Sequence, residues 1–155
     1  MERTGIDDVE SRIGPAAVRR VLGPALGTTD VAVNYYQLEP GDSFGFGYHR
    51  HADQEEVFYV FQGTVTFETE GGDVRIGPDE AARFEPGEWQ LGTNEGEERV
   101  VALAVGAPKD AGETEMVREC PDCEARTEQT IDWADDEEAL VTLCVDCGAE
   151  TGRFR

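Results

Sequence analysis

The stretch GYHRHADQEEVFYVFQG, Gly47 to Gly63, contains both histidines of a 155-residue chain, His49 and His51. They stand two positions apart, ahead of the acidic pair Glu55 and Glu56 and a run of strand-forming residues. In a β-strand, residues i and i+2 share a face, so the two imidazoles aim at one point while Arg50 faces away. A carboxylate arriving from the neighbouring strand completes a face of two histidines and one carboxylate, which leaves coordination positions open on a divalent metal.

Outward from this stretch the chain reads as short strands. VAVNYYQLE (31–39) ends at Pro40 and Gly41, and EVFYVF (56–61) meets TVTFETE (64–70) across Gln62 and Gly63, which predicts a hairpin. DVRI (73–76) comes after Gly71 and Gly72, and RVVALAV (99–105) closes the series. With 18 glycines and 7 prolines as punctuation, the pattern is all-β, a sandwich or a closed barrel. Ahead of it, Thr4 and Asp7 resemble a helix cap, and Ile6, Val9 and Ile13 recur at helical spacing. They predict a short N-terminal helix stopped by Gly14 and Pro15.

The histidine pair and the residues after it also carry a family resemblance. His49, His51 and Glu56, with six residues between Glu56 and Gly63, resemble the first motif of the cupin superfamily. FEPGEWQLGTN (84–94) is similar to the second motif through Pro86, Gly87 and Asn94. Two departures stand out: seven residues separate Gly41 from His49, and Gln90 occupies the usual place of a third histidine. The resemblance covers about residues 31–105 and implies a small jelly-roll β-barrel, a homodimer, and a divalent metal (Fe, Mn, Ni or Zn) at the barrel mouth beside a small-molecule ligand. Its metal ligands would be His49, His51 and Glu56. Gln90 has three open roles: a weak fourth ligand, a hydrogen-bonding group behind a metal-bound water or substrate, or part of a decayed site. By strand alternation Phe58 and Val60 lie near the site, and Tyr48 and Trp89 face away.

All four cysteines lie in two C-x-x-C pairs, Cys120 with Cys123 and Cys144 with Cys147, with twenty residues between the pairs. That spacing places two thiolate knuckles around one tetrahedral ion, and the segment resembles a zinc ribbon with a structural Zn. A disulfide framework suits a cytosolic chain poorly, and no helix N-terminus adjoins either pair to lower a thiol pKa for redox work. The expected organisation is a cupin barrel at 1–107, a linker at 108–114 and a zinc ribbon at 115–155.

Charge sets the outer limits. Asp and Glu number 34 against 13 Lys and Arg, a net charge of -21, and the only lysine is Lys109. Such a surface resembles that of haloarchaeal proteins, in which salt screens the self-repulsion. No basic patch supports nucleic-acid binding; residues 109–155 alone carry 14 acids against five bases. No apolar run reaches the ~20 residues of a membrane span, and the first residues lack the features of a secretory signal. The expected protein is cytoplasmic, with no membrane partner. Two functions stay open: a small-molecule metalloenzyme of dioxygenase or isomerase type, and a non-enzymatic module that senses a small molecule or metal and whose ribbon contacts a protein partner.

Overall fold

The computed structural model describes residues 1–135 and 137–155. After a 3-10 turn at Ile6–Asp8 come β1 (Val18–Val21), the short helix α1 (Gly23–Leu26), β2 (Ala32–Leu38), β3 (Tyr48–His51), β4 (Glu55–Gln62) and β5 (Val65–Thr69). Next in the chain are β6 (Val74–Ile76), β7 (Ala81–Phe84), β8 (Gln90–Thr93) and β9 (Val100–Ala107). The tail holds β10 (Thr114–Cys120), β11 (Ala125–Trp133), β12 (Leu140–Cys144) and β13 (Glu150–Phe154). Among the described residues no helix is long and apolar enough to cross a membrane.

Two antiparallel sheets face each other in a cupin-type jelly roll. One runs β1-β2-β9-β4-β7 and the other β13-β12-β11-β10-β3-β8-β5-β6. Strand β9 shows the governing pattern: every second residue from Val100 is buried and the residues between are half-exposed, as expected where one face meets a core. Between the sheets, Leu38, Val60, Val65, Phe67, Val100 and Ala102 are buried almost completely. Phe44 links the two faces, with ring centroids 4.9 Å from Phe58 and 5.9 Å from Phe67.

The hairpin expected across Gln62 and Gly63 does not form. Strand β4 is already flanked by β9 and β7 in one sheet, whereas β5 pairs with β6 and β8 in the other. The chain therefore crosses between sheets at Gly63. Its φ is 75°, and a Cβ built there would lie 2.6 Å from the Arg99 carbonyl oxygen. Only glycine fits both the backbone angle and the gap.

The N-terminal helix also shrinks. Its three-residue turn buries nothing, so no apolar face repays helix nucleation. Asp8, rather than Asp7, accepts a bond from the first backbone N–H of the turn, that of Gly5, at 3.2 Å. Arg20 ties the segment down instead, donating to the carbonyls of Ile6 and Val9 at 3.0 and 2.8 Å.

Between Ala107 and Thr114 there is no strand or helix. Beyond it, β10 hydrogen-bonds to β3, pairing Thr114 with His51 and Met116 with His49. The cysteine-bearing tail thus extends the sheet that carries the histidines.

Gly63→Ala is expected to lower the Tm by about 4–8 °C, corresponding to ~2 kcal/mol of backbone strain and displaced contacts. Thermal denaturation of the variant beside wild type measures it.

Candidate metal centre

His49 and His51 alternate on β3 and point to the barrel interior, with ring centroids 5.0 Å apart. Glu56 comes from β4, which belongs to the facing sheet and not to a neighbouring strand. The carboxylate therefore reaches the imidazoles across the barrel. One donor atom from each of His49, His51 and Glu56 lies within 4.8 Å of the others, and His51 Nε2 is 3.4 Å from Glu56 Oε2.

Hydrogen bonds behind the rings set which nitrogen faces inward. His49 Nδ1 donates to the Gly47 carbonyl at 2.8 Å, which leaves the Nε2 lone pair toward the cluster. His51 Nδ1 bonds the Thr114 hydroxyl at 2.8 Å, so its Nε2 faces inward too. Burial holds the His49 pKa below its ordinary value, partly offset by the Gly47 carbonyl and the Glu56 carboxylate. The ring stays neutral, as a metal ligand must. Gly45 makes room for it: a Cβ there would lie 2.7 Å from His49 Cε1.

Gln90 sits inside the cluster and is 2% exposed. Its Nε2 donates to Glu56 Oε2 at 2.9 Å and faces His49 Nε2 at 3.1 Å. Its Oε1 is buried without a hydrogen-bond partner, a rare condition that a ligand or ion relieves. Donors held at bond lengths of ~2.1 Å around an octahedral cation stand about 3.0 Å apart. The Gln90 amide stands at a comparable distance from His49 and Glu56, and a half-turn of the amide would present its oxygen to a cation held with them. The donor set of two imidazoles, one carboxylate and one amide oxygen fits a divalent cation.

The cluster opens into a cavity of about 690 Å³, within the usual range for small-molecule sites. Tyr36, Phe44 and Phe58 line it from the barrel, and Gln129 and Ile131 of β11 line it from the tail. Val60 is buried in the core instead of reaching the cavity. Tyr48 and Trp89 stack on each other at 5.2 Å, with Arg126 over Tyr48 and Arg50 over Trp89. Neither ring lines the cavity.

The tail gathers its four cysteines at the ends of β10 and β12. Cys120 Sγ is 3.6 Å from Cys147 Sγ, and Cys123 Sγ is 3.8 Å from Cys144 Sγ. No disulfide joins them. Four thiolates at ~2.3 Å from a tetrahedral zinc stand about 3.8 Å apart, so the spacing suits that ion. Thr127 Oγ1 lies 3.1 Å from Cys144 Sγ, and this contact chiefly lowers the Cys144 pKa to about 6. Contacts with Cys147 and Cys120 push the Cys123 thiol up. Cys144 thus forms a thiolate readily, the state in which it would hold a cation.

Thr114 and Thr127, which support the two clusters, are not legible as site residues in the sequence, because each acts through strand pairing distant along the chain. Thr114→Val removes the partner of His51 Nδ1. We expect a divalent cation offered to the barrel cluster to bind about 10–100-fold more weakly, measured by chelator competition, with any metal held by the four cysteines unchanged.

Residues 34–106 match the family model described as "Cupin domain". No curated protein sequence matches the chain. Among solved structures, a sugar phosphate isomerase of the cupin superfamily from Silicibacter pomeroyi is 23% identical with a TM-score of 0.62, covering 96% of this chain and 91% of that one. A putative sugar phosphate isomerase from Acidithiobacillus ferrooxidans is 25% identical at a TM-score of 0.56, covering 84% and 77%. A polyketide cyclase from Streptomyces resistomycificus is 24% identical at 0.62, covering 80% and 90%. Residues 34–106 thus match a cupin domain, and the solved structures share its jelly-roll fold with this chain.

Proposed function

We propose that His49, His51, Glu56 and Gln90 hold one divalent cation, and that the barrel works as a small-molecule metalloenzyme of isomerase type. Cys120, Cys123, Cys144 and Cys147 would hold a structural zinc in a ribbon. The observation that carries the first reading is the convergence of His49, His51 and Glu56 within 4.8 Å at the wall of a roughly 690 Å³ cavity. When bound, such a cation polarises a carbonyl or hydroxyl oxygen of a ligand. Around it the chain supplies shape and proton donors. Phe44 and Phe58 exclude water from one side of the cavity. Tyr36 is buried, which holds its phenol above the ordinary pKa, so it stays protonated and offers a hydrogen bond into the site. The isomerase type is favoured over the dioxygenase type by the two sugar phosphate isomerases among the structural relatives.

A second reading, a metal- or ligand-sensing module, is favoured by a different observation. Strand β10 contacts His51 through Thr114 at one end and carries Cys120 at the other, so it connects the two clusters. Turnover separates the readings: a sensor binds its ligand without converting it, whereas an isomerase equilibrates aldose and ketose phosphates.

Elemental analysis tests the metal assignments. Wild type is expected to carry two metals per chain, His51→Ala only the tail zinc, and Cys144→Ser to lose zinc. A single zinc unchanged by His51→Ala would sink the barrel assignment. The net charge of -21 further suggests a protein adapted to high salt. Its Tm is expected to rise between ~0.1 and ~1 M KCl as the Debye length falls from ~10 to ~3 Å, and a salt-independent Tm would overturn that reading.

A further inference from the structure

The cavity holds a cation of its own in Arg19. This residue lies on β1 opposite Tyr36 of β2, and both line the cavity that His49, His51 and Glu56 face. In a chain with 34 acidic residues, most well-placed arginines find carboxylates: Arg20 pairs with Asp7, Arg50 with Glu115, Arg99 with Glu39 and Arg126 with Glu68. Arg19 makes no such ion pair among the described residues, and its Nε is buried without a hydrogen-bond partner. Only four buried side-chain polar atoms among the described residues lack partners; two of them, Arg19 Nε and Gln90 Oε1, belong to the lining of this one cavity. The only lysine, Lys109, lines it as well.

Arg19 is half-buried and hydrogen-bonds the Tyr36 side chain. With its Nε shut off from water and no carboxylate beside it, it is suited to meet an anion, and its planar fork matches a carboxylate or phosphate. We propose that Arg19 anchors the anionic group of a small hydroxylated acid or phosphate ester whose other end faces His49, His51 and Glu56. Arg19, Tyr36 and Glu56 line the same cavity, so one ligand in it can meet Arg19 and the cluster together. This assignment rests on the metal reading only for the ligand's far end; the anion anchor stands by itself.

The test is calorimetric titration of the full chain, at a KCl concentration that keeps it folded, with glycolate and with inorganic phosphate as probes. Metal content is measured on the same samples. At least one probe is expected to bind wild type, and which one binds separates a carboxylate site from a phosphate site. Arg19→Gln is expected to weaken that binding about 10–100-fold, with Arg19→Lys partly restoring it and metal content unchanged in both. The Arg19 backbone N–H to Ser11 Oγ bond, 3.1 Å, does not involve the altered side chain, and circular dichroism confirms the fold. Equal binding by wild type and Arg19→Gln, or no binding of either probe to wild type, would overturn the proposal, as would loss of metal in Arg19→Gln. A barrel without metal in which Arg19→Gln still weakens the probe would refute the metal reading alone.

Discussion

A carboxylate from one sheet and two imidazoles from the other meet inside the barrel, and much of the architecture serves to hold them there. Polar atoms taken from water need partners. Gly47 and Thr114 satisfy the outward nitrogens of the rings, and Gln90 satisfies Glu56 from the side. The Gln90 amide, with its nitrogen against His49 and Glu56 and its oxygen without a partner, is the group that a cation held there would reorient. Glycine at position 45 and the sheet crossing at Gly63 are the backbone conditions for this arrangement, because each keeps a Cβ out of occupied space.

The tail is tied to that centre by β10. This strand hydrogen-bonds along the histidine strand, and β11 beyond it completes one wall of the cavity. The tail's own apolar core is small, with Ala134, Ala139 and Val141 buried and Leu143 packed against them. So little buried surface leaves much of its order to the thiolate cluster and to strand pairing. Anything that loosens the cysteines therefore acts on the strand beside His49 and His51.

Charge is partitioned between outside and inside. Acids dominate the surface and hold many of the arginines there in ion pairs, such as Arg83 with Glu55 and Glu85. Along the cavity the balance is even, with Arg19 and Lys109 among the lining residues beside Glu56 and Glu128. In so acidic a chain, a cavity wall where bases match acids repels a small anion less than the outer surface does.

The motif spacing made the barrel legible, because alternation on a strand fixes which residues share a face: His49 and His51 needed only the two-residue period. The four cysteines were legible for a similar local reason, since each C-x-x-C forms its own turn. What the sequence could not show was which strands lie opposite one another. It suggested a hairpin at Gly63 where the chain changes sheets, and a neighbouring strand as the source of Glu56 where the facing sheet supplies it. Gln90 had three open roles until folding placed its amide against His49 and Glu56. Thr114, Thr127 and Arg19 carried no local pattern at all. Side-chain direction along one strand is set by covalent geometry and can be read from order alone, whereas proximity across a barrel comes from the packing of distant segments and is decided only by the tertiary fold.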